Sequence, residues 1–267
     1  MATKPQPQKQ QPKPAPKTEV AVKTFAVSDD RPAFLKEGNR GSENVTTSDL
    51  VIPRLEVVQS LSPARNKAHP DYIEGAEEGM LYNNVTRELY GESVTVVPAF
   101  FMKEWLIWKD RKKGGGFRGA FPNKTDAEGA LRSLKNSEGK PEPAEDYAVL
   151  DTAQHFCLLI AGDKLQQIVI SMAKSKMKVS RKWNSMIALS GDDSFSRAYR
   201  VDAVADKNQN NQDFYNIKVT PLGFVSESIY TAAEKMYETL KKGGVRADTS
   251  GFDAEDHAPA AAANQEF

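Results

Sequence analysis

The sequence predicts a mainly β fold of the α+β class, an antiparallel barrel accompanied by two helices and flanked by disordered tails. Three observations predict it. Apolar runs of strand length recur with Gly, Asp and Asn clusters between them. After residue 150 the order reads strand, strand, helix, strand, strand, with at least one more long strand pair before it. The two ends of the chain carry too little apolar surface to offset the entropy of ordering them.

Residues 1–48 are expected to form a basic, disordered arm. Residues 1–17 hold Lys4, Lys9, Lys13 and Lys17 among Pro and Gln, with no acid. Phe25, Phe34 and Leu35 give the stretch 18–48 the means to order in part. A domain is placed at 49–245. Val94 to Phe101 continues toward Trp108 and meets the polar, Gly-rich segment Asp110 to Gly116, which predicts a long hairpin. Residues 122–146 are polar, with Gly and Pro, and read as a long loop with a short helix. His155 to Ala161 and Leu165 to Met172 flank Gly162-Asp163-Lys164, a good turn sequence. Ala198 to Ala205 and Phe214 to Pro221 form a third hairpin around a polar loop, 206–213.

Two helices are set by apolar periodicity. Over Ala173 to Leu189, Val179, Trp183, Met186 and Ile187 make one stripe, opposite Lys174, Lys178, Arg181 and Lys182. Ile229, Ala233, Met236, Tyr237 and Leu240 make the second stripe, which Gly243-Gly244 should terminate. An oligonucleotide-binding barrel also inserts its helix between a third and a fourth strand, so the order fits that topology. Residues 246–267 are expected to be a disordered acidic tail, with Asp248, Asp253, Glu255, Asp256 and Glu266, no Lys or Arg, and a terminal Phe267.

Composition narrows the function classes. Lys plus Arg (36) equals Asp plus Glu (36), so any case for a polyanionic partner must come from where the charges lie. Cys157 is the single cysteine, which excludes an intramolecular disulfide framework and favours a reducing compartment. With no apolar run near about 18 residues and no hydrophobic N-terminal segment, the expected location is cytoplasmic.

The window Phe100 to Phe121 carries the most chemistry. Lys103, Lys109, Arg111, Lys112, Lys113 and Arg118 outnumber Glu104 and Asp110, and they alternate with Phe100, Phe101, Trp105, Trp108, Phe117 and Phe121. Single-stranded nucleic acid is held by cations that follow its phosphates and by flat aromatics on which its bases stack, at about 1–3 kcal/mol per base. Strand parity puts Phe101, Lys103, Trp105, Ile107 and Lys109 on one face and Phe100, Met102, Leu106 and Trp108 on the other. The first set is the expected binding face and the second the core, with Glu104 its misfit. The helix cations Lys174, Lys176, Lys178, Arg181 and Lys182 have no acid among them, which favours an anionic partner over a merely solvated face. Trp183 falls within the apolar stripe and is expected in the core.

Catalytic patterns are weaker. His69, His155 and His257 are far apart and lack companions at metal-ligand spacing. Lys112-Lys-Gly-Gly-Gly-Phe-Arg-Gly119 is Gly-rich but lacks the Gly-Lys-Ser/Thr end of a phosphate-binding loop. Asp71, Glu74, Glu77 and Glu78 are the candidates for a nuclease's magnesium ligands, but a solvated acidic loop with glycines at its turns is the better explanation of them. No cofactor, no catalysis and no membrane are expected.

The segment from Asp49 to Phe121 resembles a family of tailed-bacteriophage single-stranded DNA-binding proteins. The matching residues are Ile52-Pro-Arg-Leu55, Gln59, Leu61-Ser-Pro63, Tyr72-Ile-Glu-Gly-Ala76, Glu78-Gly79, Leu89-Tyr-Gly91, Val96-Val-Pro98, Glu104-Trp105, Trp108 and Gly114-Gly-Gly-Phe117. The resemblance implies an oligonucleotide-binding-like fold and a role in phage DNA replication, recombination or repair, in the cytoplasm of the infected host. It also implies a partner-binding tail, here Asp253, Glu255, Asp256, Glu266 and Phe267, which would dock on replication or recombination proteins. The expected function is sequence-tolerant binding and protection of single-stranded DNA. A metal-dependent nuclease and a phage structural or host-takeover protein that binds only protein are the rivals.

Overall fold

Every residue from Thr152 to Leu159 is buried, so the strand that contains them must be covered on both faces. The rest of the architecture supplies that cover. In the computed structural model, residues 40–44, 51–136, 138–208 and 211–242 are described. Nine strands and three helices alternate in the order β1 (Leu55–Val57), β2 (Leu81–Asn83), β3 (Leu89–Gly91), β4 (Ser93–Lys109), β5 (Phe117–Phe121), α1 (Lys124–Arg132), β6 (Tyr147–Ala161), β7 (Lys164–Ala173), α2 (Met177–Ser190), β8 (Arg197–Lys207), β9 (Asp213–Phe224) and α3 (Glu227–Lys241) among the described residues. The mainly β, α+β class is therefore observed. The expected arm and acidic tail, including the tail residues named above and Gly243-Gly244, lie outside the described residues apart from 40–44.

The main sheet is antiparallel, in the order β7-β6-β4-β8-β9, with β5 added on β4. The hairpins β6/β7 and β8/β9 are the two that the turn sequences predict. The third differs. The long partner of β4 is β6, paired from Thr95–Ile160 to Lys109–Tyr147, whereas β5 reaches only from Trp105 to Trp108. The Gly-rich turn after β4 therefore closes only a short pairing, and α1 with the loop that follows returns the chain as β6 to the other edge of β4.

A bulge between Pro98 and Phe100 decides which β4 side chains face where. Before it, Val94 and Val96 enter one core layer while Val97 and Ala99 enter the other. Beyond it, Phe100 and Met102 join the second layer, so Phe101, Lys103 and Trp105 turn toward the first.

The first layer sets the sheet residues Cys157, Leu159, Ile168 and Met172 against α2, through Met177 and Trp183 with Val179, Met186 and Ile187 beside them. The second sets Val97, Ala99, Phe156 and Leu158 against α3, through Ala233, Met236 and Leu240. Both helices use the stripes read from their periodicity. Glu104, the polar misfit on the second face, accepts a hydrogen bond from the buried Gln154 amide at 3.2 Å, and Gln154 in turn accepts one from Ser171.

The predicted barrel does not close. No pairing joins β7 to β9 among the described residues, and the segment ahead of β4 bonds to the outer edge of each at one residue instead. Val169 of β7 donates to the Pro53 carbonyl at 2.8 Å. The Gln59 side chain donates to the Tyr215 carbonyl and accepts from the Tyr215 N–H of β9, both at 2.8 Å. Gly79 lies so close to the Tyr215 ring that an added Cβ would stand 2.6 Å from it. Since these edge groups are already satisfied, closing the barrel would bring them no further hydrogen bonds. The same segment forms the small sheet β1-β2-β3, whose Leu55, Val57 and Leu81 seal the first core layer.

Candidate nucleic-acid interface

Three side chains of β4 beyond the bulge are directed to the α2 side of the sheet. Phe101 is 42% exposed, with its ring centroid 5.0 Å from that of its cross-strand partner His155. His155 is buried and stacks on Trp183 of α2, with centroids 4.4 Å apart and planes 14° from parallel. Its Nε2 lies 2.8 Å from the Ser180 hydroxyl. Loss of water around the imidazole lowers its pKa to about 3, so the ring is neutral at neutral pH. Phe101 therefore rests on a packed aromatic stack that cannot easily yield.

Lys103 and Trp105 continue the row. The Lys103 ammonium is 2.9 Å from Asp151 Oδ2 and 4.5 Å from the Trp105 ring centroid, over the indole. Trp105 is half-buried, between Phe121 across β5 and Asp151 across β6. The row ends there. Ile107 is fully buried, and Lys109 is held by Glu142 at 2.6 Å with both side chains 14% exposed. Trp108 is buried against Phe117 at 5.2 Å, as its parity predicts, so Phe117 serves as its packing partner.

The hairpin tip carries further charge. Arg111 opens the single 3₁₀ turn Arg111–Lys113, Lys113 reaches Asp146 at 3.4 Å, and Lys112 and Arg118 are exposed with no ion pair among the described residues. Lys178, Arg181 and Lys182 of α2 are likewise exposed and make no ion pair among the described residues. Lys178 is near enough to Asp206 to help lower that carboxyl's pKa, after the hydrogen bonds from Asn216 and the Lys207 N–H. Lys174 is exposed at the bend from β7 into the helix, with a left-handed φ of 50°. Lys176 is buried.

Two clusters far apart in sequence thus come to one side of the sheet. Phe101 touches His155, and His155 touches α2. Sequence reasoning did not find His155, Ser180 and Asp151, because it took the partner of β4 to be the strand just after the turn. The apolar run at 155–160 lies within β6, whose 15 residues nearly match the 17 of β4, and it was the signal for the true pairing.

Two of the four acids near Asp71 are held in ion pairs. Asp71 pairs with Arg87 at 3.1 Å, Glu78 pairs with Arg65, and the described residues contain no group of three His, Cys, Asp or Glu placed to hold a metal ion. No helix among the described residues is long and apolar enough to cross a membrane.

Over residues 22–246 the chain matches the family model described as Pam3 phage gp34-like protein. The chain belongs to that family. No curated protein and no solved structure matches it. Membership in the Pam3 phage gp34-like family establishes a phage protein family, as the resemblance implied at its coarser level. The family's description names no ligand, so the chemistry of a gp34-like protein has to be argued from its own surface.

Proposed function

We propose that the protein binds single-stranded DNA with little regard to sequence, protects it, and serves phage DNA replication, recombination or repair. The observation that carries this reading is that Phe101, Lys103 and Trp105 lie on the side of the sheet covered by α2, whose exposed face carries Lys178, Arg181 and Lys182. Aromatic faces suit unstacked bases, and cations beside them suit the phosphates between those bases. A duplex hides its base faces, so a surface of this kind favours single strands. Its charge is local rather than global, in keeping with the balanced composition of the chain. Binding and release suffice for this role, and no step of turnover is invoked.

A mobility-shift assay with unstructured oligonucleotides, against a duplex of equal length, tests the proposal. Retardation of the single strand at lower protein concentration than the duplex supports it. No retardation of either would contradict it and leave a protein-only role. Loss of a labelled strand in the presence of magnesium would replace it with nuclease activity.

A further inference from the structure

Trp105 does not present a bare ring. The Lys103 ammonium lies over the indole at 4.5 Å from its centroid, and it is held there by Asp151 at 2.9 Å. The arrangement is built into the sheet. Lys103 and Trp105 are two residues apart on the same face of β4, and Asp151 is the residue paired with Trp105 across β6. Among the described residues Asp151 Oδ1 is buried without a hydrogen bond, and Oδ2 contacts Lys103.

We propose that Asp151 is a positioning residue that sets the selectivity of the Trp105 platform, by keeping Lys103 on the ring until a backbone phosphate takes it away. The proposal rests on the reading that a DNA strand stacks at this face. A base can lie on Trp105 only where the ammonium is not. A phosphodiester draws Lys103 off Asp151 and leaves the indole face to the neighbouring base, so cation–carboxylate and cation–ring contacts are exchanged for cation–phosphate and ring–base contacts. The two gains are coupled. A nucleoside brings a base without the charge that moves Lys103, and polyphosphate brings the charge without a base to occupy the ring. The site therefore favours bases joined by phosphates over either component alone.

Asp151→Asn, nearly isosteric, tests this together with Lys103→Met and the double variant, in the full chain, with circular dichroism confirming the fold. Without DNA, Asp151→Asn should increase acrylamide quenching of tryptophan fluorescence, because Trp108 and Trp183 are buried and Trp105 supplies the accessible signal. Its affinity for oligo-dT should rise about threefold, in the range that exposed ion pairs govern. In the Lys103→Met background the same substitution should leave affinity nearly unchanged. An equal gain in both backgrounds would mean that Asp151 acts only as a repelling charge, and would overturn the proposal. So would a wild-type protein that binds strands while Asp151→Asn matches it in quenching and affinity. A wild-type protein that binds no strand overturns the underlying reading, and this proposal with it.

Discussion

At the scale of single residues, Trp105 and Trp108 are three apart in sequence and have opposite surroundings. Trp105 is half-buried beside exposed Lys103, whereas Trp108 is 8% exposed and packs on Phe117. Trp105→Ala should weaken binding of oligo-dT by about 1–3 kcal/mol while the melting temperature stays close to wild type. Trp108→Ala should instead lower stability by about 3–5 kcal/mol, read from thermal or urea unfolding. His155 gives the pH dependence. Its folded pKa of about 3 lies below the ordinary value of 6.5, because burial disfavours the imidazolium. The unfolded chain therefore binds the proton first as pH falls, and stability declines from about pH 6.5 toward pH 3, at up to about 1.4 kcal/mol per pH unit. Asp206, also lowered, adds an acid-side loss only below its ordinary value of 3.8. Melting temperatures measured between pH 4 and pH 7 should fall with acid in the wild type and change much less in His155→Gln.

At the scale of elements, the segment before β4 does the work that a strand pairing does in a closed barrel. Gly79 has φ of 83° and stands against the Tyr215 ring, so Gly79→Ala meets both a left-handed backbone and a clash. The backbone alone should cost about 1–2 kcal/mol. Hydrogen exchange at the Tyr215 amide should accelerate in that variant and in Gln59→Ala, since the amide bonds to Gln59. The helix α2 can be tested in the same spirit. If about four or five phosphates are neutralised, log affinity should fall with log salt at a slope near −3. Neutralising Lys174, Lys178, Arg181 and Lys182 together should flatten that slope, and an unchanged slope would reduce the cluster to a solvated surface. The hairpins β6/β7 and β8/β9 and the stripes of α2 and α3 were legible because each rests on local turns and periodicity. The strands β1, β2 and β3 were not, since each is three residues long and their stability comes from pairing and from the core they seal. The fit of Gln59 and Gly79 to Tyr215 spans the chain, and no local pattern announces it.

At the scale of the whole molecule, the row Phe101, Lys103, Trp105 was readable from alternation alone, because the bulge at Ala99 lies before it and leaves its parity intact. Its end was not, since Ile107 and Lys109 are covered by parts of the chain that alternation does not see. The union of this row with α2 required the pairing of β4 with β6, which only the fold supplies. That union is the central claim, and a fluorescence titration tests it most directly. Oligo-dT added to the wild type at low salt should quench tryptophan emission to saturation, with both quench and affinity reduced in Trp105→Phe and affinity reduced in the α2 quadruple variant. A strand that binds with no change in emission, or with equal affinity for wild type and both variants, would contradict the account.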